Sequence, residues 1–228
     1  MTKVAIVTGN TSGLGEAISD ELIARGWTVV GVARGNHEAA TGTSNGSGLR
    51  QVQGSVDTQE TVDAAFKAAA DAGQLSLVVN CAGQGCFGEV GSYSASDITS
   101  AISGNLAGLI LFSDKAIDAM KDGGGNIVNI MSTAAKKYRA AESVYTAVKW
   151  GAKAYTRTIR DAVKSKKYGI RVFEVYPCGM STDFWSSSIR PVTDGSGFPE
   201  PQPIAKAVVD AVMKEADSYQ QELTFERT

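Results

Sequence analysis

Tyr145 and Lys149 stand four residues apart in the run SVYTAVKWGAK, a spacing that puts both side chains on one face if the segment is helical. An ammonium beside a phenol favours phenolate and draws the tyrosine pKa down from about 10, which would make Tyr145 a usable general acid and base. Ser132, in NIVNIMS, carries a hydroxyl suited to hydrogen-bonding an oxygen on which charge develops. Far upstream, TGNTSGLG over 8–15 lies between an apolar run and a helical pattern. There a helix N-terminus would offer free N–H groups and the positive dipole end to a phosphate, with glycines keeping side chains clear. Each spacing alone arises readily by chance, so its weight depends on the elements around it.

Those elements alternate. Residues 4–7 read as a short apolar strand of the kind buried on both faces of a parallel sheet, 14–25 as a helix closed by Gly26, and 28–33 as a second strand, a βαβ unit. Further strands are expected over 49–53, 75–79, 126–130, 170–176 and 222–225, with helices over 58–72, 97–120 and 142–165. Seven strands with interleaved helices predict an α/β fold, a single-domain Rossmann-type doubly wound parallel sheet with helices on both faces, spanning 1–228. Two segments depart from this rhythm. Residues 35–48, with TGTSNGSG, read as a flexible loop, and 181–203, rich in Pro, Ser and Gly, as a substrate loop or lid with a helical turn near Phe184 and Trp185. Met180, Phe184 and Trp185 are candidates for an apolar pocket wall.

Composition removes other classes. The 228 residues hold 22 basic and 24 acidic side chains, a net charge of −2, so no basic field favours nucleic acid or an anionic membrane. Three cysteines and one histidine fit neither a disulfide framework nor a metal site. The first apolar run is too short for a signal segment or a membrane span, so a cytoplasmic protein without membrane or nucleic-acid partners is expected. Glycine is abundant at 25 residues and lacks a triplet period, which points to tight turns and close backbone approach.

Taken in order, TGNTSGLG, Asn80-Cys81-Ala82-Gly83, Asn105 in GNLAG, Ser132 and the Tyr145/Lys149 pair resemble the short-chain dehydrogenase/reductase family, with its TGxxxGxG, NNAG and YxxxK patterns. The resemblance runs from Lys3 nearly to the end. It implies a catalytic set of Asn105, Ser132, Tyr145 and Lys149, with Asn105 holding a water that links Lys149 to solvent. It also implies cofactor contacts from Gly9, Thr11, Ser12, Gly13, Leu14, Gly15, Asn80, Ala82, Gly83, Tyr145, Lys149, Pro177, Gly179 and Thr182. Cys81, Cys178 and Ser55 depart from the usual residues. The last leaves the adenine contact open between Ser55, Asp57 and the backbone of Val56.

The expected cofactor is NADP rather than NAD. The second strand ends in Ala33-Arg34, with no acid for a ribose 2′-OH and an arginine suited to a 2′-phosphate. His37 could assist Arg34 or be an ordinary surface residue. Lys136, Lys137 and Arg139 lie where relatives form the pocket mouth and read as a solvated basic patch or an acidic-substrate contact. The implied activity is interconversion of a carbonyl and an alcohol on a small molecule by hydride transfer, with Tyr145 as acid/base. The alternative is an NADP-sensing regulatory protein whose catalytic residues are idle. By the same resemblance the helices 97–120 and 142–165 would form a homodimer or homotetramer.

Overall fold

A computed structural model describes residues 2–35, 48–189, 197–214 and 218–227. Strands β1 (Lys3–Thr8), β2 (Thr28–Ala33), β3 (Leu49–Gln53), β4 (Gln74–Asn80), β5 (Gly125–Ile130), β6 (Ile170–Tyr176) and β7 (Glu222–Thr224) form one sheet in the order β3-β2-β1-β4-β5-β6-β7. Every pairing is parallel. The chain builds outward from β1 through β2 to β3, then crosses back to β4 and builds the other way. The carboxyl ends of β1 and β4 therefore flank the point where strand order reverses, the crevice in which open α/β sheets bind ligands.

The inner strands are apolar because both faces are covered. Val4, Ala5, Ile6 and Val7 of β1 and every residue of β2 are buried. On one face α1 (Gly13–Ala24) and α6 (Gln202–Met213) pack Ile18, Leu22, Val208 and Val209 against Ala5, Val7 and Val128. On the other, α2 (Gln59–Ala70), α4 (Gly108–Met120) and α5 (Ser143–Ser165) pack Phe66, Phe112, Met120 and Ile159 against Val4, Ile6 and Val78. Phe112 is fully buried, and cutting it to alanine should cost about 3–5 kcal/mol.

The strands expected from the sequence are all present, within a residue or so at their ends. Two details differ. The helix expected over 97–120 is two helices, α3 (Ala95–Ile102) and α4, joined by a π-helical turn, Ser103–Ala107. Ala95–Met120 is long enough to cross a membrane and holds an 18-residue window of mean hydropathy 1.2, yet Ala101, Leu109, Phe112 and Met120 pack into the protein's own clusters. Second, α6 begins at Gln202, inside the segment read as loop to 203. Its spacing of Ile204, Val208 and Val212 is helical, but it follows so closely on the proline-rich run that loop signals mask its start. Most of the expected flexible loop 35–48, including His37, and residues 190–196 of the expected lid lie outside the described residues.

Candidate active site

The turn after β1 is shaped by backbone, not side chains. Gly9 (φ +70°) and Gly13 (φ +56°) occupy left-handed conformations that glycine adopts without strain. A Cβ on Gly9 would come 2.8 Å from Ala82 Cα, and one on Gly15 would overlap the Gly9 carbonyl. The Gly9 N–H donates to Val32 O at 2.8 Å, and the Thr8 hydroxyl accepts from the N–H groups of Cys81 and Ala82, both at 3.1 Å. These bonds fix the ends of β1, β2 and β4 around one concavity. Ser12 caps α1 without a side-chain capping bond, so the first-turn N–H groups keep their capacity for an anion.

A cavity of about 730 Å³ opens over these strand ends. Its phosphate end is lined by Gly9, Thr11, Ser12, Gly13, Leu14 and Gly15, and its far end by Arg34, Ser55, Val56 and Asp57. Ala82, Gly83, Pro177, Gly179 and Thr182 line it too, together with Ser132, Tyr145 and Lys149. The Ser55 hydroxyl donates to the Asp57 carboxylate. That bond, reinforced by Ser103 and the Arg34 charge, holds the carboxyl below the usual range. Arg34 is exposed at the cavity's edge and its carbonyl accepts from Gln53 Nε2 at 3.1 Å.

Tyr145 and Lys149 face the same interior from α5, 6% and 5% exposed. Lys149 Nζ lies 5.7 Å from the Tyr145 ring centre and donates to Ile130 O at 3.2 Å. The Ser132 hydroxyl lies close enough to the Tyr145 phenol to favour its ionised form, and it accepts from Ala134 N at 3.1 Å. One electrostatic expectation is overturned. Burial dominates and pushes the Tyr145 phenol up rather than down, with the neighbouring Ser132 hydroxyl opposing it only in part. Burial also draws Lys149 down to about 8, so the lysine stays largely charged at neutral pH and loses its proton only just above it. The nearby Cys81 thiol is pushed up to about 12, also by burial, and is no competing nucleophile.

Asn105 lies in the π-helical turn, 1% exposed and outside the cavity lining. Its Nδ2 donates to Gln84 O at 2.9 Å and Ala101 O at 3.0 Å, while its buried Oδ1 accepts no hydrogen bond from the protein. A Cβ on Gly83 would sit 2.5 Å from that Oδ1 and 3.6 Å from Lys149 Nζ. The bare Gly83 Cα thus leaves an unused acceptor and an ammonium flanking one point. Asn80 is placed differently from its implied cofactor role: its side chain, off the cavity, donates to Ser113 Oγ at 2.9 Å and Asn129 Oδ1 at 2.7 Å, tying β4 to α4 and β5.

The opposite wall is aromatic. Phe87 and Phe184 each lie 5.9 Å from the Tyr145 ring, Trp185 stacks on Phe87 at 5.8 Å, and Phe198 lies 5.1 Å from Trp185. Met180, Phe184 and Trp185 all line the cavity. The segment is held by a short parallel bridge in which Ile189 N donates to Gly85 O at 2.9 Å and Phe87 N to Ile189 O at 3.1 Å. Phe87, Phe198 and Arg227 were not singled out in the sequence, because no motif brackets them and only tertiary contact brings them together. Of the basic trio, Lys136 pairs with Glu222 and lies off the cavity, Lys137 is 3.9 Å from Glu226, and Arg139, bonded to Glu142 at 2.8 Å, lines the mouth.

The glycine cradle, the open α1 N-terminus and the extended cavity fit a dinucleotide, and the orphaned Asn105 Oδ1 fits a water beside Lys149. Comparison with known proteins agrees. Residues 3–191 match the family model described as short chain dehydrogenase. The chain is 32% identical over 218 residues to carbonyl reductase family member 4 of Danio rerio, covering 92% of this chain and 90% of that protein. An alcohol dehydrogenase from Thermococcus sibiricus, solved with 5-hydroxy-NADP, superposes with a TM-score of 0.85 at 26% identity, covering 99% of this chain and 96% of that one. A short-chain dehydrogenase/reductase from Vibrio parahaemolyticus does so with a TM-score of 0.80 at 30% identity, covering 96% and 98%. Nucleotide-shaped backbone, a Ser–Tyr–Lys cluster in the same cavity and these likenesses together make the chain an oxidoreductase of the short-chain dehydrogenase family.

Proposed function

We propose that the protein is an NADP-dependent oxidoreductase that interconverts a carbonyl and an alcohol on a small molecule, with Tyr145 as general acid and base. The observation that carries this is the meeting of Ser132 with the buried Tyr145 and Lys149 in the cavity that also holds the phosphate turn. A bound nicotinamide supplies or accepts the hydride, which leaves the proton and the oxygen charge to the protein. In reduction, the Tyr145 hydroxyl gives its proton to the carbonyl oxygen while Ser132 hydrogen-bonds that oxygen and steadies its developing charge. A phenol pushed up by burial is a ready proton holder at neutral pH, suited to the acid role. Lys149 and the Asn105 carbonyl then flank the route by which the phenol regains a proton.

NADP preference is supported by Arg34 at the cavity's far end, where a 2′-phosphate would lie. The 5-hydroxy-NADP in the Thermococcus sibiricus relative points the same way. We propose further that the protein is cytoplasmic and assembles as a homodimer or homotetramer, which sedimentation of the purified chain tests. The test of function is NADPH and NADH oxidation, followed by absorbance, over a panel of aldehydes and ketones. NADPH-dependent turnover of at least one carbonyl is expected. NADPH binding with no turnover across the panel contradicts the reading.

A further inference from the structure

We infer that the substrate is a flat, ring-bearing carbonyl compound carrying a carboxylate, with Arg227 as the carboxylate's partner. This rests on the oxidoreductase reading of the same cavity. Beside the Tyr145 phenol the wall is made of Phe87, Phe184, Trp185 and Phe198, with ring centres 5.1–6.2 Å apart in tilted, edge and stacked contacts. Trp185 and Phe198 reach as far as Gly179, where a Cβ would come 3.2 Å from Trp185 Cζ2 and 3.3 Å from Phe198 Cε2. Such a wall favours a planar apolar body, which gains ring contacts that an aliphatic chain of equal size does not.

At the end of this wall stands a cation. The Arg227 guanidinium lies 4.7 Å from the Phe198 ring centre and lines the cavity, and it has no carboxylate partner among the described residues. The other arginine at the mouth, Arg139, is already bonded to Glu142. Contact with Phe198 holds the planar guanidinium at the end of the wall, and its N–H donors, which pair with no carboxylate among the described residues, suit the fork-shaped pairing that a carboxylate accepts. Tyr145 thus faces one end of an aromatic slot and Arg227 the other, so a molecule with its carbonyl at one end and a carboxylate at the other satisfies both.

The probe pair is benzaldehyde and 4-carboxybenzaldehyde, each assayed with NADPH, alongside the NADPH dissociation constant measured by calorimetry. The ratio of kcat/KM for the acid to that for benzaldehyde cancels their differing reactivity when wild type and variant are compared. We expect Arg227→Ala to lower this ratio about tenfold, mainly through KM, with Arg227→Lys recovering part of it. An unchanged ratio overturns the proposal. So does a loss confined to NADPH affinity, which would make Arg227 a partner of a cofactor phosphate. Turnover of neither aldehyde, nor of any carbonyl in the wider panel, removes the oxidoreductase reading itself and this inference with it. Turnover of simple aliphatic carbonyls alone removes only the inference.

Discussion

The two ends of the cavity are built from different material. At the phosphate end the surface is backbone: Gly9, Gly13 and Gly15 leave no room or cause for side chains, and strand-to-strand hydrogen bonds hold the turn. At the substrate end the surface is side chain: four aromatic rings from the turn after β4 and from the segment after β6, held to each other by packing and one short bridge. A backbone-built site tolerates almost no substitution but is indifferent to what surrounds it, whereas a side-chain wall can be rebuilt residue by residue without disturbing the sheet. One fold can therefore keep its cofactor while changing its substrate.

Breaking the buried cluster between the two ends should have the largest effect. Lys149→Met should lower NADPH-dependent turnover by about 10²–10⁴-fold. The same variant should raise stability by about 1–3 kcal/mol at pH 7, because folding draws Lys149 from its ordinary value down to about 8 and so disfavours its charged form. The sign follows directly. A lysine with a depressed folded pKa costs stability at neutral pH, and that cost fades as pH rises from about 8 towards 10.5. Urea unfolding at pH 7 and pH 10 should show the gap between variant and wild type narrowing at the higher pH.

Asn105→Ala, which removes the unused Oδ1 beside Gly83, should lower kcat by about 10–100-fold with a smaller change in KM, as steady-state kinetics would show. Gly15→Ala tests the backbone end. The added methyl would strike the Gly9 carbonyl, so thermal or urea unfolding should show a loss of about 1–3 kcal/mol together with weaker NADPH binding. The smallest effect is expected at the cavity's edge, where Arg34 is exposed. Arg34→Ala should weaken NADPH about tenfold and leave NADH within about twofold, by calorimetric titration. Equal losses for both would show that Arg34 does not read the 2′-phosphate.

The same contrast explains what could be read in the sequence. The phosphate turn is local: TGNTSGLG, the apolar run before it and the helix after it lie in one stretch, and the glycines declare where a Cβ cannot fit. The sheet follows from β-branched apolar runs alternating with helical patterns. The aromatic wall is non-local. Phe184 and Trp185 stand out in their own segment, but only the fold brings Phe87 and Phe184 to Tyr145 and Phe198 to Trp185. Arg227 belongs to no motif and gains meaning solely from lying over Phe198. Electrostatics escaped for a related reason: spacing shows that Lys149 faces Tyr145, but burial, which reverses the expected tyrosine shift and lowers the lysine to about 8, is a property of the packed site. Asn80, correctly placed at the end of β4, spends its side chain on Ser113 and Asn129, a choice that its position in a motif does not reveal.

The central claim is that Tyr145 moves the proton in a cavity whose cofactor site does not depend on its hydroxyl. Tyr145→Phe removes one oxygen and keeps the ring that packs on Phe87 and Phe184. Measured side by side on wild type and variant, turnover of the best carbonyl with NADPH should fall about 10³-fold or more while the NADPH dissociation constant stays within about threefold. Turnover within about tenfold of wild type, with NADPH still bound, would contradict the account.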